Sequence, residues 1–299
     1  MYERILVPQD GSPFAEAALP LALEISRRTG AEIHLATVIE GVTEYAFEGW
    51  GPAAEKGATE HLEGVVNRIE SLTSGDVSYS VRHGVAADEM VAAVKELGVD
   101  LVVMSTHGRG GMARLWLGSV ADRYSRMTDV PTLLVRPGEK AEPVTDFGHD
   151  FETLLVPLDG SELSEEALRH ATEFGELFDS AYHLTQVAQY PIDLASPYLP
   201  HTVQLNQEIV DEAKKRAAKY LEDHADRMRK RGLRVTTSVV VDAQPGHGIV
   251  GEAEAVGAEL IAMATHGHTG VKRFVLGSAT DKVLRGAQVP ILLHRPSTA

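Results

Sequence analysis

Residues 104–119 read Met-Ser-Thr-His-Gly-Arg-Gly-Gly-Met-Ala-Arg-Leu-Trp-Leu-Gly-Ser, and residues 263–278 read Met-Ala-Thr-His-Gly-His-Thr-Gly-Val-Lys-Arg-Phe-Val-Leu-Gly-Ser. Each segment leaves an apolar run, turns through Thr-His-Gly and reaches Gly-Ser after nine intervening residues. Gly108 and Gly267, Gly111 and Gly270, Arg114 and Arg273, Gly118 and Gly277, and Ser119 and Ser278 are all 159 residues apart. Recurrence at one fixed offset marks an internal duplication. A glycine-rich turn that ends where a helix begins is also an anion cradle, because its N–H groups and the positive end of the helix dipole converge.

The duplication extends outward from these loops. In the first half, apolar runs at 4–7, 32–39, 77–82, 101–104 and 132–135 alternate with amphipathic runs at 12–28, 54–72, 87–97 and 119–127. The second half repeats the alternation, with apolar runs at 153–156, 182–188, 235–241, 260–263 and 291–293 and amphipathic ones at 164–178, 206–230, 248–256 and 278–284. Strands alternating with helices imply parallel pairing through right-handed crossovers, hence an α/β fold with a doubly wound sheet in each half. Pro20 falls inside the first helical run and is expected to kink it. Residues 138–150 carry proline and charge without periodicity and read as a linker between a first domain at 1–137 and a second at 151–299. Two further stretches, 40–53 and 189–205, show no periodicity and are rich in aromatic, Pro and Gly residues. They read as long loops able to order over a ligand.

Composition narrows the function. The 299 residues carry a formal net charge of −15, with 43% hydrophobic and 24% charged residues and no cysteine. That charge disfavours a nucleic-acid partner, whose binding needs a basic surface. The absence of cysteine rules out disulfides and thiolate metal sites and suits a reducing cytoplasm. The chain opens directly on a strand-like run without a signal-peptide pattern, and no segment reaches the length of a membrane span. A cytoplasmic protein without nucleic-acid or membrane partners is expected.

A second element joins the loops at the carboxyl ends of the strands, where open α/β sheets bind ligands. Asp10 and Asp159 sit in Val-Pro-x-Asp-Gly-Ser, at an offset of 149, at the end of each half's first strand. An acid there can accept hydrogen bonds from ribose hydroxyls or an adenine amine, or it can form an Asx-turn that caps the next helix. Ser119 with Asp122, and Ser278 with Asp281, have the spacing of a capping box. His34 and His183 match within a strand and read as hydrogen-bonded core residues. His107 and His266 read as loop braces, and a zinc site using His266, His268 and His247 lacks a carboxylate at metal spacing. Neither a P-loop nor a Gly-x-Gly-x-x-Gly fingerprint is present.

In these residues the chain resembles the universal stress protein family in its tandem form. The family's ATP-binding pattern is Gly-x-x-Gly, nine residues, then Gly followed by Ser or Thr. Here it is met by Gly108 with Gly118 and Ser119, and by Gly267 with Gly277 and Ser278, while Ser105 and Ala264 stand in for the first Gly. The resemblance implies two domains, each a five-stranded parallel sheet of order 3-2-1-4-5 with helices on both faces. It implies an ATP site in each half. Asp10, Val38, Ser105, His107, Gly108, Arg109, Gly111, Gly118, Ser119 and Val120 line the first. Asp159, Val187, Ala264, His266, Gly267, His268, Gly270, Gly277, Ser278 and Ala279 line the second. Family domains pair through their last strands, which implies intrachain pairing of the two halves and a homodimer. The implied function is a stress-response regulatory protein that binds ATP, with or without Mg2+, and acts through ligand-dependent conformation. The alternatives are a slow ATPase or phosphotransferase and a ligand-free interaction module. Catalysis is expected to be weak or absent, because no base or metal-holding carboxylate pair stands at motif spacing.

Overall fold

The computed structural model describes residues 2–41, 50–106, 117–137, 150–189, 202–265 and 276–295. The chain divides into two compact units, Met1–Asp150 and Phe151–Thr298. In the first unit the chain runs β1 (Arg4–Pro8), α1 (Pro13–Glu16), α2 (Leu19–Thr29), β2 (Glu32–Ile39), α3 (Trp50–Ile69) and β3 (Val77–His83), then α4 (Ala86–Leu97), β4 (Leu101–Ser105), α5 (Ser119–Ser125) and β5 (Thr132–Val135). The second runs β6 (Thr153–Pro157), α6 (Glu162–Glu176), β7 (Ala181–Ala188), α7 (Thr202–Arg229), β8 (Val235–Val241), α8 (Pro245–Ala255), β9 (Leu260–Ala264), α9 (Ser278–Gly286) and β10 (Ile291–His294).

All strand pairs within a unit are parallel. In the first unit β1 lies between β2 and β4, with β3 and β5 outermost, giving the order 3-2-1-4-5. In the second unit β6, β7, β8, β9 and β10 take the same places. The central strands explain themselves: Ile5, Leu6 and Val7, like Leu101 to Met104, are buried without alternation, as expected when helices cover both faces of a sheet. In the second unit Leu154 to Val156 and Leu260 to Ala264 do the same. Phe151 packs edge-on against Phe174 and Phe178 at centroid distances of 5.3 and 5.0 Å, closing the base of that core. Gly30 and Gly98 stop α2 and α4 at left-handed φ values of 77° and 66°, where a Cβ would be strained.

Three expectations need correction. Residues 12–28 form two helices, not one kinked helix: α1 stops at Glu16 and α2 begins at Leu19 with Pro20 in its first turn. Pro20 has no N–H to give the carbonyl four residues back, and its ring would crowd that carbonyl. In the second unit the matching residue is Arg169, and α6 runs unbroken. The two stretches read as loops are also shorter than expected, because α3 already starts at Trp50 and α7 at Thr202. Most of the remainder of each, 42–49 and 190–201, lies outside the described residues, as does most of the linker.

Candidate functional site

The parallel order brings the carboxyl ends of β1 and β4, and of β6 and β9, side by side. At the end of β1 one oxygen of Asp10 anchors a relay. Its Oδ1 accepts from the Ser12 N–H at 2.9 Å and from the Ser12 hydroxyl at 2.6 Å, while Ser12 Oγ accepts from the Ala15 N–H at 3.2 Å. Asp159 repeats this with Ser161, at 3.1 and 2.5 Å, and Ser161 Oγ caps α6 through the Ser164 N–H at 3.2 Å. The Asx-turn reading therefore holds for both aspartates, and it fixes each half-buried carboxylate at its strand end.

Ser105 and Ala264, the last residues of β4 and β9, are buried. Beyond them the base of each glycine-rich loop is closed by one backbone bond. The Gly118 N–H donates to the Thr106 carbonyl at 2.7 Å, and the Gly277 N–H to the Thr265 carbonyl at 3.0 Å. In the second unit the Thr280 hydroxyl adds bonds to the Ala264 and Thr265 carbonyls at 3.1 and 3.2 Å. Ala121 occupies the matching position in the first. His107, Gly108, Arg109 and Gly111, with His266, Gly267, His268 and Gly270, lie outside the described residues.

The capping-box expectation is overturned at both helices. Gly118 and Gly277, not the serines, are the N-caps, and no side chain caps either helix. The first helical bonds run from the Asp122 N–H to the Gly118 carbonyl and from the Asp281 N–H to the Gly277 carbonyl, both at 2.9 Å. Ser119, Val120 and Ala121 thus present first-turn N–H groups that have no helical acceptor, as do Ser278, Ala279 and Thr280. Asp122 and Asp281 turn along the helix instead, pairing with Arg126 at 2.6 Å and Arg285 at 2.8 Å. Ordinary i,i+4 attraction wins because the Gly N–H is already held by the preceding strand end, which starts the helix one residue earlier than the box requires.

Val38 and Val187 sit one residue before the ends of β2 and β7, both half-buried. Around Val187 the structure adds residues that the sequence reading did not connect with the site. A Cβ on Gly248 would lie 3.2 Å from both Val187 methyls and 3.2 Å from the Asp242 Cβ. A Cβ on Gly246 would lie 2.5 Å from the Lys282 Cβ and 2.7 Å from the Ala279 carbonyl oxygen, so α8 and α9 meet at their first turns. Asp242 is held in place by the Gln244 N–H at 2.8 Å and by His247 Nδ1 at 2.9 Å. Those bonds, His247 foremost, hold its carboxyl below the usual aspartate value. The legible signal was Pro245-Gly-His-Gly248: two glycines in a helical first turn are costly unless something must approach closely.

The paired histidines are structural. His34 bonds Ser78 at 2.9 Å and Ser80 at 2.8 Å, and burial followed by the Arg4 charge pushes its pKa below the ordinary value. His183 bonds Thr236 at 2.8 Å, and its Nε2 reaches both Ser238 and Glu252 at 2.9 Å. Among the described residues no group of His, Asp or Glu is arranged to hold a metal ion, and no helix is long and apolar enough to cross a membrane.

The universal stress protein family model matches the chain twice, over residues 1–136 and 150–295. The chain belongs to the universal stress protein family. A universal stress protein of Methanocaldococcus jannaschii is 30% identical over 144 residues, covering 48% of this chain and 81% of that protein. One from Mycobacterium tuberculosis is 27% identical over 254 residues, covering 84% of this chain and 81% of its own length, so the tandem arrangement is shared. Among solved structures, a universal stress protein from Archaeoglobus fulgidus superposes with a TM-score of 0.74 at 19% identity, covering 98% of this chain and 96% of the other. That last likeness speaks for the fold of this universal stress protein and for nothing finer.

Proposed function

We propose that each universal stress domain binds one adenine nucleotide and that the protein works as a ligand-dependent regulatory module. The observation that carries this reading is the duplicated helix start. A glycine N-cap without side-chain capping leaves three N–H donors at the mouth of α5 and of α9, next to a strand-end aspartate. Donors in this arrangement suit phosphate oxygens, and the carboxylate suits the hydroxyl or amine donors of a nucleoside. The triphosphate lies on the backbone at Gly118, Ser119 and Val120 in the first unit and at Gly277, Ser278 and Ala279 in the second. Turnover is slow or absent in this reading, because Asp122 and Asp281 are engaged with arginines and offer no carboxylate pair for a metal. Any Mg2+ arrives with the nucleotide.

Calorimetric titration of the full chain with ATP should give about two sites per chain, with thermal stabilisation that rises with ligand concentration. Absence of heat and of any thermal shift at millimolar ATP would overturn the proposal. Multiple turnovers per second by the purified protein would replace it with an enzyme.

A further inference from the structure

We propose that Asp242 is a specificity-determining residue of the second unit's site, accepting a hydrogen bond from the amine edge of the bound purine. The inference rests on the nucleotide reading above and adds a residue, a ligand group and an asymmetry between the two units. Asp242 directly follows β8, and its N–H donates to the carbonyl of Ala188, the last residue of β7, at 3.3 Å. Its side chain shares a sheet face with Val187, since both touch the space above Gly248. Gly248 leaves that space open, and Gly246 brings the first turn of α8 against Ala279 and Lys282 at the start of α9. The carboxylate thus borders the apolar wall at Val187 on the side of the same sheet that carries the uncapped start of α9. The Gln244 N–H and His247 fix its rotamer before any ligand arrives, so little entropy is lost when a donor meets it. Adenine offers such a donor in its 6-amino group, whereas a 6-oxo purine would set a carbonyl against a carboxylate.

The first unit is built differently at this point. In the register that matches Val77 with Val235, Gly84 takes the place of Asp242. Gly84 has φ 143°, and a Cβ there would lie 2.9 Å from Glu89 Oε1. The carboxylate that fills this place in the first unit belongs to Glu89 on α4 and is paired with Arg82 at 3.0 Å, so the two units should differ in their preference among purines.

The test is calorimetric titration of the full chain with ATP and with inosine triphosphate, for wild type, Asp242→Asn and Asp242→Ala. The amide retains an acceptor for the Gln244 N–H and a partner for His247, so Asp242→Asn should keep its unfolding temperature. One of the two ATP sites is expected to weaken by about 10-fold in both variants, the scale of a hydrogen bond to a charged acceptor. Affinity for inosine triphosphate should stay level or rise. An unchanged ratio of ATP to inosine triphosphate affinity in both variants, with wild-type ATP binding intact, would overturn the inference and leave the nucleotide reading standing. Failure of wild type to bind either nucleotide would remove that reading, and the inference with it.

Discussion

Oδ1 of Asp10 receives two hydrogen bonds from Ser12, and the serine in turn caps α1, so one oxygen organises the junction of strand and helix. Asp159 and Ser161 do the same for α6. Such a relay supplies the worth of a helix cap, about 1 kcal/mol. Asp159→Ala should therefore lower stability by about 1 kcal/mol in urea unfolding, while Asp159→Asn, which keeps an acceptor, should lose far less. If the carboxylate also meets a ligand, the Asn variant will lose ATP affinity at near-normal stability. Equal affinity for ATP in wild type and Asn variant would confine Asp159 to the turn. The duplicated histidines carry the same lesson in another form. His34 and His183 occupy matched positions, yet Arg4 and Arg82 bias the surroundings of one while Glu252 binds the other directly.

Helices show how strongly neighbours override local pattern. Ser-x-x-Asp at 119–122 has the spacing of a capping box, but the bond from the Gly118 N–H to Thr106 makes the glycine the cap and leaves the serine as first helical residue. Within the second unit, α6 faces β10 through a tilted pair of imidazoles, His170 and His294, with centroids 4.1 Å apart and planes 45° apart. Burial, followed by the charge of His294, lowers the pKa of His170 from 6.5 to about 3. The folded state thus refuses a proton that the unfolded chain accepts. The associated stability is complete above pH 6.5 and drains away as the pH falls toward about 3. Thermal unfolding followed between pH 7 and about 4 should show a steep loss that flattens in His170→Leu, which fills the same space without a titrating group. Parallel pH profiles for the two proteins would assign the acid sensitivity elsewhere.

For the whole molecule, duplication makes stoichiometry the informative measurement. Gly118→Glu and Gly277→Glu each place a carboxylate beside the N–H donors of one helix start, where it both occupies the anion's space and repels it. Each single variant should reduce ATP stoichiometry from about two per chain to about one, and the double variant should abolish binding, with far-ultraviolet circular dichroism unchanged. Both N-caps have an extended backbone, with φ −62° at Gly118 and −59° at Gly277, so the substitution itself introduces no strain. Full stoichiometry in both single variants would move the phosphates away from these helices. A net charge of −15 works against any polyanion, so a nucleotide must be held by local donors rather than by the field of the protein.

What the sequence determined by itself was whatever repeats or alternates along the chain. The constant offset of 159 residues gave the duplication, and the alternation of apolar and amphipathic runs gave ten strands, five paired in parallel within each unit. The order 3-2-1-4-5 came from the resemblance to the family, and right-handed crossovers are compatible with it. The strand-end aspartates were legible too, because Val-Pro-x-Asp-Gly-Ser is a local motif whose turn is made by its own residues. Tertiary structure alone decided the matters that depend on partners far along the chain. The Thr106 and Thr265 carbonyls set where α5 and α9 begin, and the close approach of α8 to α9 explains the two glycines at 246 and 248. Neither spacing nor composition could place Asp242 beside Val187, because 55 residues of chain separate them and only the pairing of β7 with β8 brings them to one edge.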